Sequence, residues 1–131
     1  MPSIEESVRT MLTSYSQLND IPNDRITFGY RLQSTALPAI TYMLQQAEFA
    51  TLDGDRRIVD AEFSYICTTA IEAAEREPDM RAAVRTGTFT TNKISAVVWT
   101  GSRVEEPVTA DGDEQQPAVL VCTATLYFEL L

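Results

Sequence analysis

Apolar residues recur along this chain with two different spacings, and the spacing separates helix from strand. Near the start, Ile4, Val8, Met11, Leu12 and Tyr15 repeat at helical intervals behind Ser3 and Glu6, a capping-box pair. A first helix is predicted from about Ile4 to Tyr15. Asn19, Asp20, Pro22, Asn23 and Asp24 then crowd one turn-forming stretch, after which "RITFGYRL" brings β-type residues and a short strand is expected near Ile26.

A period of two takes over in "AITYMLQQAEFA", where Ile40, Tyr42 and Leu44 share one parity and Thr41 and Met43 the other. It is clearest in "RIVDAEFSYICTT", where Val59, Ala61, Phe63, Tyr65 and Cys67 alternate with Asp60, Glu62 and Ser64. Between these two strands lies Asp53-Gly54-Asp55. Asp-Gly is favoured hairpin chemistry, because glycine adopts positive φ freely, so the two strands are expected to pair antiparallel. The triplet returns as Asp111-Gly112-Asp113 inside "EEPVTADGDEQQP", which carries five acids, two prolines, a glycine and no aromatic residue. That is the composition of a solvated loop. It separates "NKISAVVWTGSRVEE" from "AVLVCTATLYFELL", in which Leu120, Cys122, Ala124, Leu126, Phe128 and Leu130 form an unbroken apolar face.

"TTAIEAAEREPDMRAAVRTG" is rich in Ala, Glu and Arg and reads as a second helix, with Thr68 or Thr69 as N-cap and Gly87 as terminator. Pro78 interrupts it. On an unbroken helix, at about 100° per residue, Met80 would lie on the far side from Ile71. Either the helix breaks near Pro78 and its core face resets, or Met80 and Val84 point outward at something else. The order is therefore α-β-β-β-α-β-β. It defines an α+β fold, a two-layer arrangement with a mostly antiparallel sheet of four to five strands and the helices on one face, in a single domain spanning residues 1–131.

Two helices cover one sheet face, so the other face is expected to be polar if the chain works alone. It is not consistently polar. Met43, Ile58, Ile66, Val97 and Trp99 are placed there, with Val119, Val121 and Tyr127, interleaved with Thr41, Asp60, Glu62 and Ser64. A contiguous apolar group that includes the chain's one tryptophan is a candidate interface, the alternative being a twisted sheet that curls to bury these residues within the chain.

The 131 residues carry a net charge of −9, and from Val104 to Leu131 there are six acids and no base. Nucleic-acid binding by affinity needs Lys and Arg to displace phosphate counterions, so this balance argues against it while permitting DNA to slide past. Histidine is absent, which removes the usual general base, the Ser-His and Cys-His nucleophile pairs and the commonest metal ligand. No catalytic residue, cofactor or metal is expected. The Asp-Gly-Asp triplets lack the converging oxygens of a calcium loop and read as turns. Cys67 and Cys122 stand far apart in apolar stretches, without zinc or redox spacing, as reduced core residues. No apolar run approaches the roughly 18 residues of a membrane span, and "MPSIEESVRT" lacks the features of a secretory signal. A soluble protein that stays where it is made, without a membrane partner, is expected.

The order of these segments is familiar. A short N-terminal helix, "TALPAITY" entering a strand, "TLDG" at a hairpin, "IVDAEFSYICTTAIEAAE" passing from strand to helix, and an aromatic-bearing final strand together resemble the small tail-terminator, or tail-completion, proteins of long-tailed bacteriophages. The resemblance runs from Ser3 to Leu131. It implies a virion protein, made in the host bacterium's cytoplasm, that forms a homohexameric ring on the head-proximal end of the tail tube. Such a ring ends tube growth, docks to a head-completion or neck protein and lets DNA through without specific binding. If they point outward, Met80 and Val84 join the sheet-face residues as candidates for the subunit or tube interface. The resemblance places Glu105, Glu106, Asp111, Asp113 and Glu114 at the lumen or rim, where six copies would sum to a formal charge of about −54, six times −9. Pro78 and the acidic segment from Glu105 to Gln116 depart from the family pattern. A head-tail adaptor or other neck ring is the near alternative. A monomeric α+β module binding a ligand or peptide at a sheet edge is a second, and an enzyme using Asp53 and Asp55 with a metal is a third.

Overall fold

Helix α1 (Ile4–Ser14) leads into two short 3-10 turns and strand β1 (Ile26–Phe28), followed by β2 (Ala39–Gln46), β3 (Arg56–Cys67), helix α2 (Ala70–Thr86), β4 (Ile94–Glu105) and β5 (Ala118–Glu129). The structure is a computed structural model that describes residues 4–18, 20–29, 37–46, 56–86, 94–105 and 118–129. This is the α+β order expected from the sequence. The five strands form one sheet in the order β1-β2-β3-β5-β4, antiparallel throughout except for the β1–β2 pair. The first Asp-Gly-Asp and the acidic segment beyond Glu105, with Glu106, Asp111, Asp113 and Glu114, lie outside the described residues.

One core joins both helices to one face of the sheet. α1 contributes Val8, Met11 and Leu12, the i, i+3, i+4 stripe seen in the sequence, and the strands contribute Ile40, Phe63, Tyr65, Leu120 and Leu126, all buried. The register explains why these meet. Phe63 stands opposite Cys122 and Tyr65 opposite Leu120, so the alternating apolar positions of β3 and β5 fall on one face. Cys67 and Cys122 are buried free thiols, and burial pushes both thiol pKa values up, Cys122 to about 12. Burial thereby keeps these sulfurs protonated and inert.

α1 is also tied to the segment that follows it. The Arg9 guanidinium donates to the carbonyls of Ile26 and Asn23, the latter at 2.9 Å. Gly29 closes β1 with φ of 91°, a left-handed conformation that disfavours other residues, while its N–H reaches the Tyr42 carbonyl at 2.9 Å.

α2 corrects both expectations about Pro78. The helix runs unbroken from Ala70 to Thr86, and Met80 and Val84 point inward, fully buried. Ile71 is the outlier, 73% exposed. The buried stripe is Ala73, Met80, Ala83 and Val84, whose angles at 100° per residue cluster on the sheet side. Pro78 is exposed, so the backbone bond it forfeits to Ala74, also exposed, falls on the solvent side, where water can satisfy the carbonyl. Thr69 caps the helix: its hydroxyl accepts the Glu72 N–H at 3.2 Å.

Candidate functional site

The face of the sheet turned away from the helices, the outer face, divides into two halves. Register rows place Ala39, Ile66, Val119 and Glu105 side by side, then Thr41, Ser64, Val121 and Arg103. In this half Ala39, Thr41, Ile66 and Val121 are already buried within the single chain, Val121 to 4% exposure. Ile66 and Val121 therefore sit on the expected face but are not available to a partner. Val119 is half-buried, and Glu105 is exposed and paired with Arg103 at 3.0 Å.

Val97 and Trp99 do not belong to this face. Val97 pairs with Leu126 and Trp99 with Ala124, both core-facing, and both side chains pack against the core from its margin. The register then slips between Trp99 and Gly101, leaving Thr100 in a bulge. Beyond it the parity inverts: Gly101 stands opposite Thr123 and Arg103 opposite Val121. One inserted residue thus reverses which β4 positions face outward.

The second half of the outer face is open. Its rows are Ile58, Tyr127 and Ala96; then Gln45, Asp60, Thr125 and Val98; then Met43, Glu62, Thr123 and Gly101. Met43 and Val98 are 46% and 49% exposed at opposite margins, and Ile58 and Tyr127 are half-buried between. Across the middle runs a hollow of about 310 Å³, lined by Met43, Gln45, Asp60, Glu62 and the threonines at 100, 123 and 125.

Hydrogen bonds set the rotamers of this hollow. Thr125 donates to Asp60 Oδ1 at 3.0 Å, and Thr100 donates to Thr123 at 2.7 Å, whose hydroxyl in turn reaches the Gly101 carbonyl at 3.4 Å. Glu62 is exposed, and its carboxylate takes no partner among the described residues. Among the described residues the lining contains two carboxylates and no basic side chain. The result is a shallow acidic trough with apolar margins, in which hydroxyls are held by their neighbours and one carboxylate remains open to a cation. Among the described residues, no three His, Cys, Asp or Glu gather closely enough to hold a metal ion, and no helix is long and apolar enough to cross a membrane.

Of the residues expected at an interface, the structure brings Met43, Ile58 and Tyr127 together on the open half and leaves Val119 half-buried on the other. Met80, Val84, Ile66 and Val121 are consumed by the chain's own folding, and Val97 and Trp99 flank the core. Missed by sequence reasoning were Val98, Thr100, Thr123 and Thr125. The alternating threonines of the last strand were visible as a signal; the register that sets Val98 opposite Thr125 and the bulge that leaves Thr100 beside Thr123 were not.

No protein-family model matches this chain, and no curated protein matches it significantly.

Proposed function

We propose that this chain is a structural virion protein of a long-tailed bacteriophage, a tail terminator whose copies form a hexameric ring on the head-proximal end of the tail tube. The ring ends tube polymerisation, offers a surface to the head or neck, and leaves a passage for DNA.

The observation that supports this most is the half-open outer sheet face. A two-layer α+β chain with helices on one side leaves its second sheet face to be covered from outside, and here half of it retains exposed Met43 and Val98 around an acidic trough. The contact surface in this reading is narrower than the sequence suggested, because four of the expected residues are internal. The charge of −9 suits a conduit that repels a duplex instead of gripping it.

Electron microscopy of purified tail tubes, with and without the protein, tests the assignment. The expected result is a six-fold ring at one end of each tube and an arrest of tube lengthening when the protein is added. Tubes that lengthen unchanged and carry no ring would remove the terminator assignment. Rings bound only to heads would move the protein to the adaptor side of the neck.

A further inference from the structure

α2 carries a second apolar stripe, on its solvent side. At 100° per residue, Ile71, Ala74, Pro78, Ala82 and Arg85 fall within about 80° of one another, with Arg81 at the margin. Ile71 is 73% exposed, the largest exposure of any bulky apolar side chain among the described residues. Pro78, Arg81 and Arg85 are exposed and, with Ala82, line a second shallow depression. The core of α2 does not explain this stripe, since the buried residues lie on the opposite side of the helix.

We infer that the open half of the outer sheet face receives the solvent face of α2 from a second copy of this chain. Charge complementarity argues for that occupant. Among the described residues the trough offers Asp60 and Glu62 with no base in its lining, and the C-terminal half of the α2 stripe carries Arg85 and Arg81, the latter bonded along its own helix to Glu77 at 2.8 Å. The apolar parts match as well: Met43 and Val98 border the trough, and Ile71, Pro78 and Ala82 run down the helix. Form agrees with chemistry, because a hollow that covers two of the open rows, from Met43 and Gln45 across to Thr100, admits a convex surface more readily than a flat one.

The two surfaces belong to opposite layers, one on the sheet's far side and one on the helix's far side. A contact between them is head-to-tail. It cannot be two-fold; it propagates from copy to copy, closing into a ring where the rotation between neighbours allows and running on as a filament where it does not. The inference rests on the ring reading and specifies how the ring is joined.

Charge reversal across the contact tests it. Sedimentation velocity over a concentration series compares the full chain with Glu62→Arg, with Arg81→Glu combined with Arg85→Glu, and with all three changes together, each variant checked for folding by circular dichroism. Each set of reversals is expected to raise the concentration needed for assembly by at least about tenfold, and the combination to recover most of that loss. Ile71→Asp, at a site outside the core, is expected to weaken assembly equally while leaving the melting temperature unchanged. If the unaltered chain forms rings and the reversals or Ile71→Asp do not weaken them, or the combination fails to recover, the joint lies elsewhere and the ring reading stands. If the unaltered chain stays monomeric with and without tail tubes, the ring reading itself falls.

Discussion

The Arg76 guanidinium lies over the Tyr65 ring, its central carbon 5.4 Å from the ring centroid, while its Nε donates to the phenol oxygen at 3.2 Å. The same hydroxyl donates to Glu72 at 3.2 Å, and Arg76 also pairs with Asp20 and, at 3.4 Å, with Asp79. Burial works against the Arg76 charge, but the Tyr65 hydroxyl and Asp20 outweigh it and raise the pKa. One side chain thus joins β3, α2 and the turn after α1. The network positions the helix whose far side we assign to the contact between copies.

Tyr65 makes this network sensitive to alkali. Burial, acting against the bond from Arg76, raises the phenol pKa from 10.0 to about 12. Because the folded-state value lies above the unfolded one, the stabilisation is complete below pH 10 and is lost as pH rises through about 12. A two-unit shift corresponds to about 2–3 kcal/mol. Denaturant titrations from pH 7 to 12 should show stability falling in that window, with the Cys122 thiol adding to the fall from about pH 9. Tyr65→Phe should cost about 1–2 kcal/mol at pH 7, through the lost hydroxyl bonds, and should flatten the alkaline fall. An identical fall in the variant would assign it to other groups.

Pro78 stands mid-helix yet faces solvent. Replacing it with alanine restores the bond to the Ala74 carbonyl and removes a residue about 3 kcal/mol less favourable than alanine in helix interiors. Thermal unfolding should show Pro78→Ala stabilised by about 1–3 kcal/mol. A lower melting temperature would mean that the proline makes a favourable contact of its own.

Trp99 packs at the margin of the core. Trp99→Ala is therefore expected to destabilise the isolated chain by about 2–4 kcal/mol, toward the lower part of the range for buried aromatic truncations because the residue is only partly buried. Urea denaturation measures this. Unchanged stability combined with lost assembly would return Trp99 to the interface.

The thiols give a probe of opening. Cys67 and Cys122 are buried and their pKa values raised, so a thiol reagent at pH 8 should modify neither in the folded chain and both in denaturant. Rapid modification of either in native buffer would show that its strand opens locally.

Element order and hairpin pairing were legible because a period of two survives in the long strands and one of 3.6 in α1, while α2 shows through its Ala, Glu and Arg content. Val59 to Cys67 and Leu120 to Leu126 carry it without interruption, and the register pairs them as their parities require. The face of α2 was not legible. Its buried stripe mixes alanines with Met80 and Val84 and is bordered by Arg76 and Glu77, while the most conspicuous aliphatic residue, Ile71, points away. Apolar residues on both sides of one helix cancel the signal. At Trp99 the alternation was readable but its direction was not, because a one-residue bulge inverts it downstream. For Ile66 and Val121 the face was legible and the burial was not: alternation tells which way a side chain points, whereas coverage depends on the rest of the chain.

The central claim is that copies of this chain cover the open half of its outer sheet face and close into a ring. Native mass measurement of the purified protein over rising concentration, with tail tubes present at the end of the series, tests it most directly. The account predicts a species of six copies of the 14.6 kDa chain, growing with concentration or appearing on the tubes. A single 14.6 kDa species under every condition would contradict it.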